Sequence, residues 1–157
     1  MAKDKKTAKP IGGPFIAAAV LCQGVSEESD GVFSVTRIVD EIRLALSPDA
    51  PEDYPSKDKP IEIPLWALVI IRKGDARVGK HKLRLVVEQP NGKVREAFKT
   101  DVEMPEYPNG TTTVRAKMLM KLHSSGVFWI DVILGRQRLT RMALNLKIDR
   151  PQKDDAE

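Results

Sequence analysis

From Thr112 to His123 apolar and polar side chains alternate, with Val114, Ala116, Met118, Met120 and Leu122 in one set. Thr113, Arg115, Lys117 and Lys121 make up the other, and Leu119 is the exception. A period of two puts one face of a strand on a core and the other in water, so this segment must be a half-buried β-strand. Ile61 to Arg72 repeats the pattern with Ile61, Ile63, Leu65, Ala67, Val69 and Ile71 on one face. Its second face turns apolar at Trp66, Leu68 and Ile70, which predicts cover on both sides there, and Pro64 belongs at a strand end or an edge.

More strands follow the same rule. His81 to Gln89 carries Leu83, Leu85 and Val87 inward, and Gln89-Pro90-Asn91-Gly92 supplies the residues of a hairpin turn. Lys93 to Lys99 is the return strand. Val127 to Ile148 reads as a terminal hairpin turning at Gly135, with Phe128, Ile130, Val132 and Leu134 on one arm and Met142, Leu144, Leu146 and Ile148 on the other. Phe15 to Gln23 is apolar on both faces and fits a covered strand. Val32 to Leu46 is ambiguous. Phe33 and Val35 share one parity and Ile42, Leu44 and Leu46 the other, so a strand needs a bulge near Arg37 to switch faces. A helix over 35–46 is the rival, because Val35, Ile38, Val39, Ile42 and Leu46 are also helix-spaced.

These segments predict an all-β fold, an antiparallel two-sheet sandwich of about eight strands, with a β-barrel as the alternative closure. The chain of 157 residues suits one domain over 11–149. It is flanked by a basic tail, 1–10, and a mixed charged tail, 150–157. Only 5% of residues are aromatic, so the core must rest on aliphatic side chains and methionine.

A lone cysteine, Cys22, cannot close an internal disulfide and fits a reducing, cytoplasmic setting. It reads as a small buried hydrophobe. The apolar stretch Ile11 to Cys22 is short and broken by Gly12, Gly13 and Pro14, so neither a signal peptide nor a membrane span is expected.

Chemistry-bearing motifs are sparse. His81 and His123 are the only histidines, each without a neighbouring ligand, so no metal site is expected. There is no G-x-S-x-G elbow and no P-loop, and no cofactor is expected. The 47–60 loop holds Asp49, Glu52, Asp53 and Asp58 among four prolines. It reads as a solvated loop in preference to a calcium site. The densest basic run is Arg72, Lys73, Arg77, Lys80, Lys82 and Arg84, with His81 among them. Such a cluster can meet phosphates or an acidic partner, while the plainer reading is an edge guarded by lysine. Trp66 is a candidate interface residue if it is exposed, and core filling is the plainer reading.

The Phe15 to Gln23 run, the polar turn into Gly31-Val32-Phe33-Ser34-Val35, and the ending from Gly126 to Gly135 carry one resemblance. Together they resemble an uncharacterised bacterial family, a domain of unknown function. The ending is similar to the last hairpin of immunoglobulin-like or C2-like sandwiches. The resemblance implies that sandwich fold and brings no catalytic residues.

The leading functional expectation is therefore a non-enzymatic module that binds a protein partner or assembles with itself. A nucleic-acid-associated accessory protein using the basic surface is the second reading, and a hydrolase with a dispersed site is the third.

Overall fold

The structure is a computed structural model, and it describes residues 12–151. The expected tail 1–10 lies outside the described residues, as does the expected tail 150–157 apart from Arg150 and Pro151. The described chain contains strands and no helix. In order they are β1 (Phe15–Glu27), β2 (Phe33–Ile38), β3 (Glu41–Ala45), β4 (Ile61–Arg72), β5 (Gly79–Glu88), β6 (Val94–Met104), β7 (Thr111–Leu122), β8 (Gly126–Leu134) and β9 (Gln137–Asp149).

They form two sheets, ordered β2-β1-β4-β7 and β3-β9-β8-β5-β6. One of the two curls into a half-barrel. Every pairing is antiparallel except β3 with β9.

The alternating segments behave as their period demands. Leu65, Ala67, Val69 and Ile71 of β4 and Val114, Ala116, Met118, Met120 and Leu122 of β7 all point into one apolar cluster. The second sheet adds Leu83, Leu85 and Val87 of β5, Phe128 to Leu134 at every second position of β8, and Leu144 and Leu146 of β9. At about 1.5–3 kcal/mol for each fully buried aliphatic side chain, this shared cluster is the main favourable term.

The ambiguous stretch resolves into two strands on different sheets, so nine strands stand where about eight are expected. The helix over 35–46 is not formed. β2 ends on β1, where the Val39 amide donates to the Leu21 carbonyl at 2.7 Å. One residue later the Asp40 carbonyl accepts from the Asn145 amide at 2.9 Å, and β3 starts beside β9. Arg37, inside β2 and just before this crossing, has φ 51°, a left-handed conformation that costs a non-glycine residue roughly 1–2 kcal/mol. The change of parity read from the sequence is therefore a crossing between sheets, with β-branched residues holding the strand state on either side of it.

The outer face of the four-stranded sheet carries a second apolar patch. Cys22 is fully buried and Leu68 is 6% exposed, yet neither belongs to the main cluster. Arg115 explains the cover. It stands opposite Leu68, but it reaches the Glu27 carboxylate at 3.9 Å and lies 5.6 Å from the Phe33 ring centroid. The distal β1–β2 hairpin thus folds back over this face, and the covered middle of β4 follows from it. Burial pushes the Cys22 thiol up, against a backbone hydrogen bond from Gly24.

Candidate functional site: two basic ends

The Arg72–Arg84 segment links β4 to β5 at one end of the sheets. Its loop is tied down on both sides. The Lys73 amide donates to Gly110 O at 2.9 Å and the Gly74 amide to Pro108 O at 2.8 Å. Asp75 and Gly12 exchange bonds, Asp75 N to Gly12 O at 3.0 Å and Gly12 N to Asp75 Oδ2 at 2.9 Å. Gly74 sits with φ 53° so close to Gly12 that a Cβ there would collide with the Gly12 carbonyl.

Within this segment the basic side chains do not converge. Lys73 is 7% exposed, which leaves little of it for a partner. The Arg77 guanidinium donates to Lys80 O at 3.1 Å, and His81 Nε2 meets Arg77 O at 2.6 Å, so both brace their own turn. By register Lys80 stands opposite Glu103 and Lys82 opposite Asp101, while Arg84 pairs with Glu96 at 3.6 Å. Arg72 belongs to the other sheet, opposite Thr111. Trp66 lies on the outer face of that sheet, half-buried, with the Lys117 ammonium 5.8 Å from its ring centroid. Strand β6 thus lays acids along the basic edge.

The opposite end is different. Lys57, Lys93, Arg95, Lys121 and His123 line one small pocket of about 140 Å³, completed by Pro60, Gln89 and Asn91. No carboxylate lines it.

Three chain segments bring these groups together. In the 47–60 loop, Ser56 and Lys59 exchange backbone hydrogen bonds, and Ser56 Oγ accepts from the Lys59 amide at 3.1 Å. That turn presents Lys57. The Gln89–Lys93 turn closes with Gln89 N donating to Lys93 O at 2.8 Å, as the Pro-Asn-Gly sequence predicts, and sets Lys93 and Arg95 at the start of β6. The antiparallel register of β4 with β7 places Leu122 beside Ile61, so Lys121 and His123 arrive next to the loop that carries Lys57.

Arg95 is fixed by a bond across the sheets, its Nη2 donating to Leu119 O of β7 at 3.0 Å. Glu62 stands opposite Lys121 in the ladder, and no ion pair joins them. Among the described residues Lys57, Lys93, Arg95 and Lys121 make no salt bridge. The Lys57 ammonium beside Lys93, with a smaller contribution from burial, holds the Lys93 ammonium below the usual lysine range. Like charges this close without a carboxylate between them form a site that attracts an anion.

Two other features bear on function. A cleft of about 570 Å³ opens at the crossing between sheets, lined by Gln23, Arg37 to Leu44 and Ile63 to Leu65. On the outer face of the five-stranded sheet, Arg141 grips Asp131 at 2.7 and 3.1 Å and Glu88 at 3.1 Å, and stacks 5.3 Å from the Trp129 ring centroid. Among the described residues no three His, Cys, Asp or Glu side chains gather as metal ligands, the acids of the 47–60 loop included. No described helix is long and apolar enough to cross a membrane.

No family model matches the sequence, and no curated protein matches it either. Among solved structures, the chain is similar to Pseudomonas fluorescens alkylpurine DNA glycosylase AlkC bound to DNA containing an abasic site analog. The TM-score is 0.40 and the identity 13%, and the likeness covers 69% of this chain. The chain spans only 28% of that protein, and at this level the likeness carries no functional argument.

Proposed function

We propose that this chain is a non-enzymatic binding module, a β-sandwich of immunoglobulin-like type, whose working end is the Lys57–His123 pocket and whose partner is a phosphate-bearing polyanion such as nucleic acid. One observation carries the reading: four cationic side chains and a histidine from three separate segments meet in a pocket that no acid lines. Cations without an ion-pair partner gain most from meeting phosphates, because the phosphates give up condensed counter-ions in exchange. The sandwich assignment is supported by the single apolar cluster shared between the sheets and by strand ends that gather loops at two poles. The test is titration of a short single-stranded DNA at rising salt. Binding that weakens linearly in log salt supports the reading, and no binding at low salt refutes it.

A protein partner is the second reading, favoured by the cleft at the sheet crossing. Ile38 stands 65% exposed at its rim, with Val39, Ile42, Leu44 and Pro64 alongside. Ile38→Asp should abolish capture of such a partner while leaving DNA binding unchanged. Loss of DNA binding instead would count against separate surfaces.

A further inference from the structure

The polyanion reading leaves open which kind of phosphate the pocket takes. Resting on that reading, we propose that the Lys57–Lys93–Arg95–Lys121–His123 pocket is built for a phosphomonoester, the doubly charged terminal phosphate, in preference to the singly charged diester inside a strand.

Size is the first argument. At about 140 Å³ the pocket falls below the roughly 300–1,000 Å³ of sites that enclose drug-sized organic molecules. That is the scale of one small oxyanion and not of a nucleoside or a peptide.

Geometry is the second. The donors come from three chain segments: the 47–60 loop, the start of β6 and the end of β7. A monoester offers three terminal oxygens to three such sources, whereas a diester has only two that are not bridging. Arg95 has one nitrogen committed to Leu119 O, which orients its planar fork and leaves other N–H donors for the pocket it lines.

Charge is the third. Lys57 and Lys93 crowd each other enough to weaken the Lys93 proton's hold. One added negative charge would not balance the four cations around it, and a dianion comes closer.

The chemistry can be tested with small probes on the full chain at neutral pH and constant ionic strength. Inorganic phosphate, methyl phosphate and dimethyl phosphate are titrated by calorimetry, beside the single-stranded DNA. The expected result is that methyl phosphate and inorganic phosphate bind at least about tenfold more tightly than dimethyl phosphate, a difference of about 1.4 kcal/mol. Lys93→Gln and Lys121→Gln should each weaken phosphate binding several-fold. Both positions are exposed, so neither variant should melt below the parent. Lys80→Gln at the opposite end should bind phosphate like the parent. Equal affinity for methyl and dimethyl phosphate, with DNA still bound, would overturn the monoester assignment and leave the polyanion reading standing. Failure of every phosphate probe and of DNA would overturn both. Phosphate binding that Lys93→Gln and Lys121→Gln do not weaken would move the site elsewhere and overturn the assignment to this pocket.

Discussion

At the Gly74 end, Lys80 and Lys82 of β5 stand beside Glu103 and Asp101 of β6, and the connecting loop is stitched to Gly12, Pro108 and Gly110. At the Lys57 end, a similar set of cations faces no carboxylate in its pocket, and Lys57 and Lys93 crowd each other. The first end is dense in sequence, and acids stand across the ladder from Lys80 and Lys82. The second is scattered in sequence, and although Glu62 stands across the ladder from Lys121, its cations gather around one pocket that no carboxylate lines. Local charge density therefore says little about electrostatic function until the strand opposite is known.

The difference can be broken or sharpened by substitution, and the largest effect should be on binding. Reversing Lys57 and Lys121 together to Glu should weaken single-stranded DNA binding by about a hundredfold at low salt and flatten its salt slope. Reversing Arg77 and Lys80 together should change affinity no more than about threefold. Equal losses from the two pairs would erase the distinction between the ends.

Backbone fit gives the next contrast. Gly74→Ala forces a Cβ onto the Gly12 carbonyl in a left-handed conformation and should cost about 3 kcal/mol of stability. Gly92, at the other end, also has positive φ, 83°, but has open space around it. Gly92→Ala should cost only about 1 kcal/mol, both values read from denaturant melts.

Single arginines should differ less. Arg95→Ala removes a bond to a backbone carbonyl of the other sheet and should cost about 1–1.5 kcal/mol. Arg84→Ala breaks a partly exposed ion pair at 3.6 Å and should cost about 0.5 kcal/mol or less.

The smallest effect is a titration. Because Lys57 lowers the Lys93 pKa on folding, the unfolded chain holds that proton more tightly. Stability should therefore rise with pH between the folded and the unfolded lysine values, as the repulsion is relieved. Lys57→Gln should return Lys93 to the ordinary lysine range in an NMR titration of its side chain and remove that slope.

Much of the fold was legible because period two is a direct image of burial. β4, β7 and the arms of the terminal hairpin all follow from it, and the Pro-Asn-Gly turn follows from its residue types. β6 runs on to Met104, five residues past the expected end, because Asp101 and Glu103 mask the inward Val102 and Met104. The crossing at Arg37–Asp40 shows in the sequence only as a change of parity, which a bulge would also produce. Which sheet each half joins depends on backbone partners at Leu21 and Asn145 that no local pattern reveals.

The binding end was not legible as a cluster. A scan for basic runs finds Arg72 to Arg84, because those residues are neighbours along the chain. Lys57, Lys93 and Lys121 meet only through the β4–β7 register and the β5–β6 turn. One signal was present: a lysine lies in or beside each of the three segments that line this pocket. Pairing β4 with β7 end to end would have brought the two outer ones together.

The most direct measurement is amide-resolved NMR of the full chain during titration with inorganic phosphate. Saturable shifts are expected at Lys57, Lys93, Arg95, Lys121 and His123, with Arg72 to Arg84 unmoved. Shifts centred on Arg72 to Arg84, or spread evenly over every exposed lysine, would contradict the assignment of binding to this pocket.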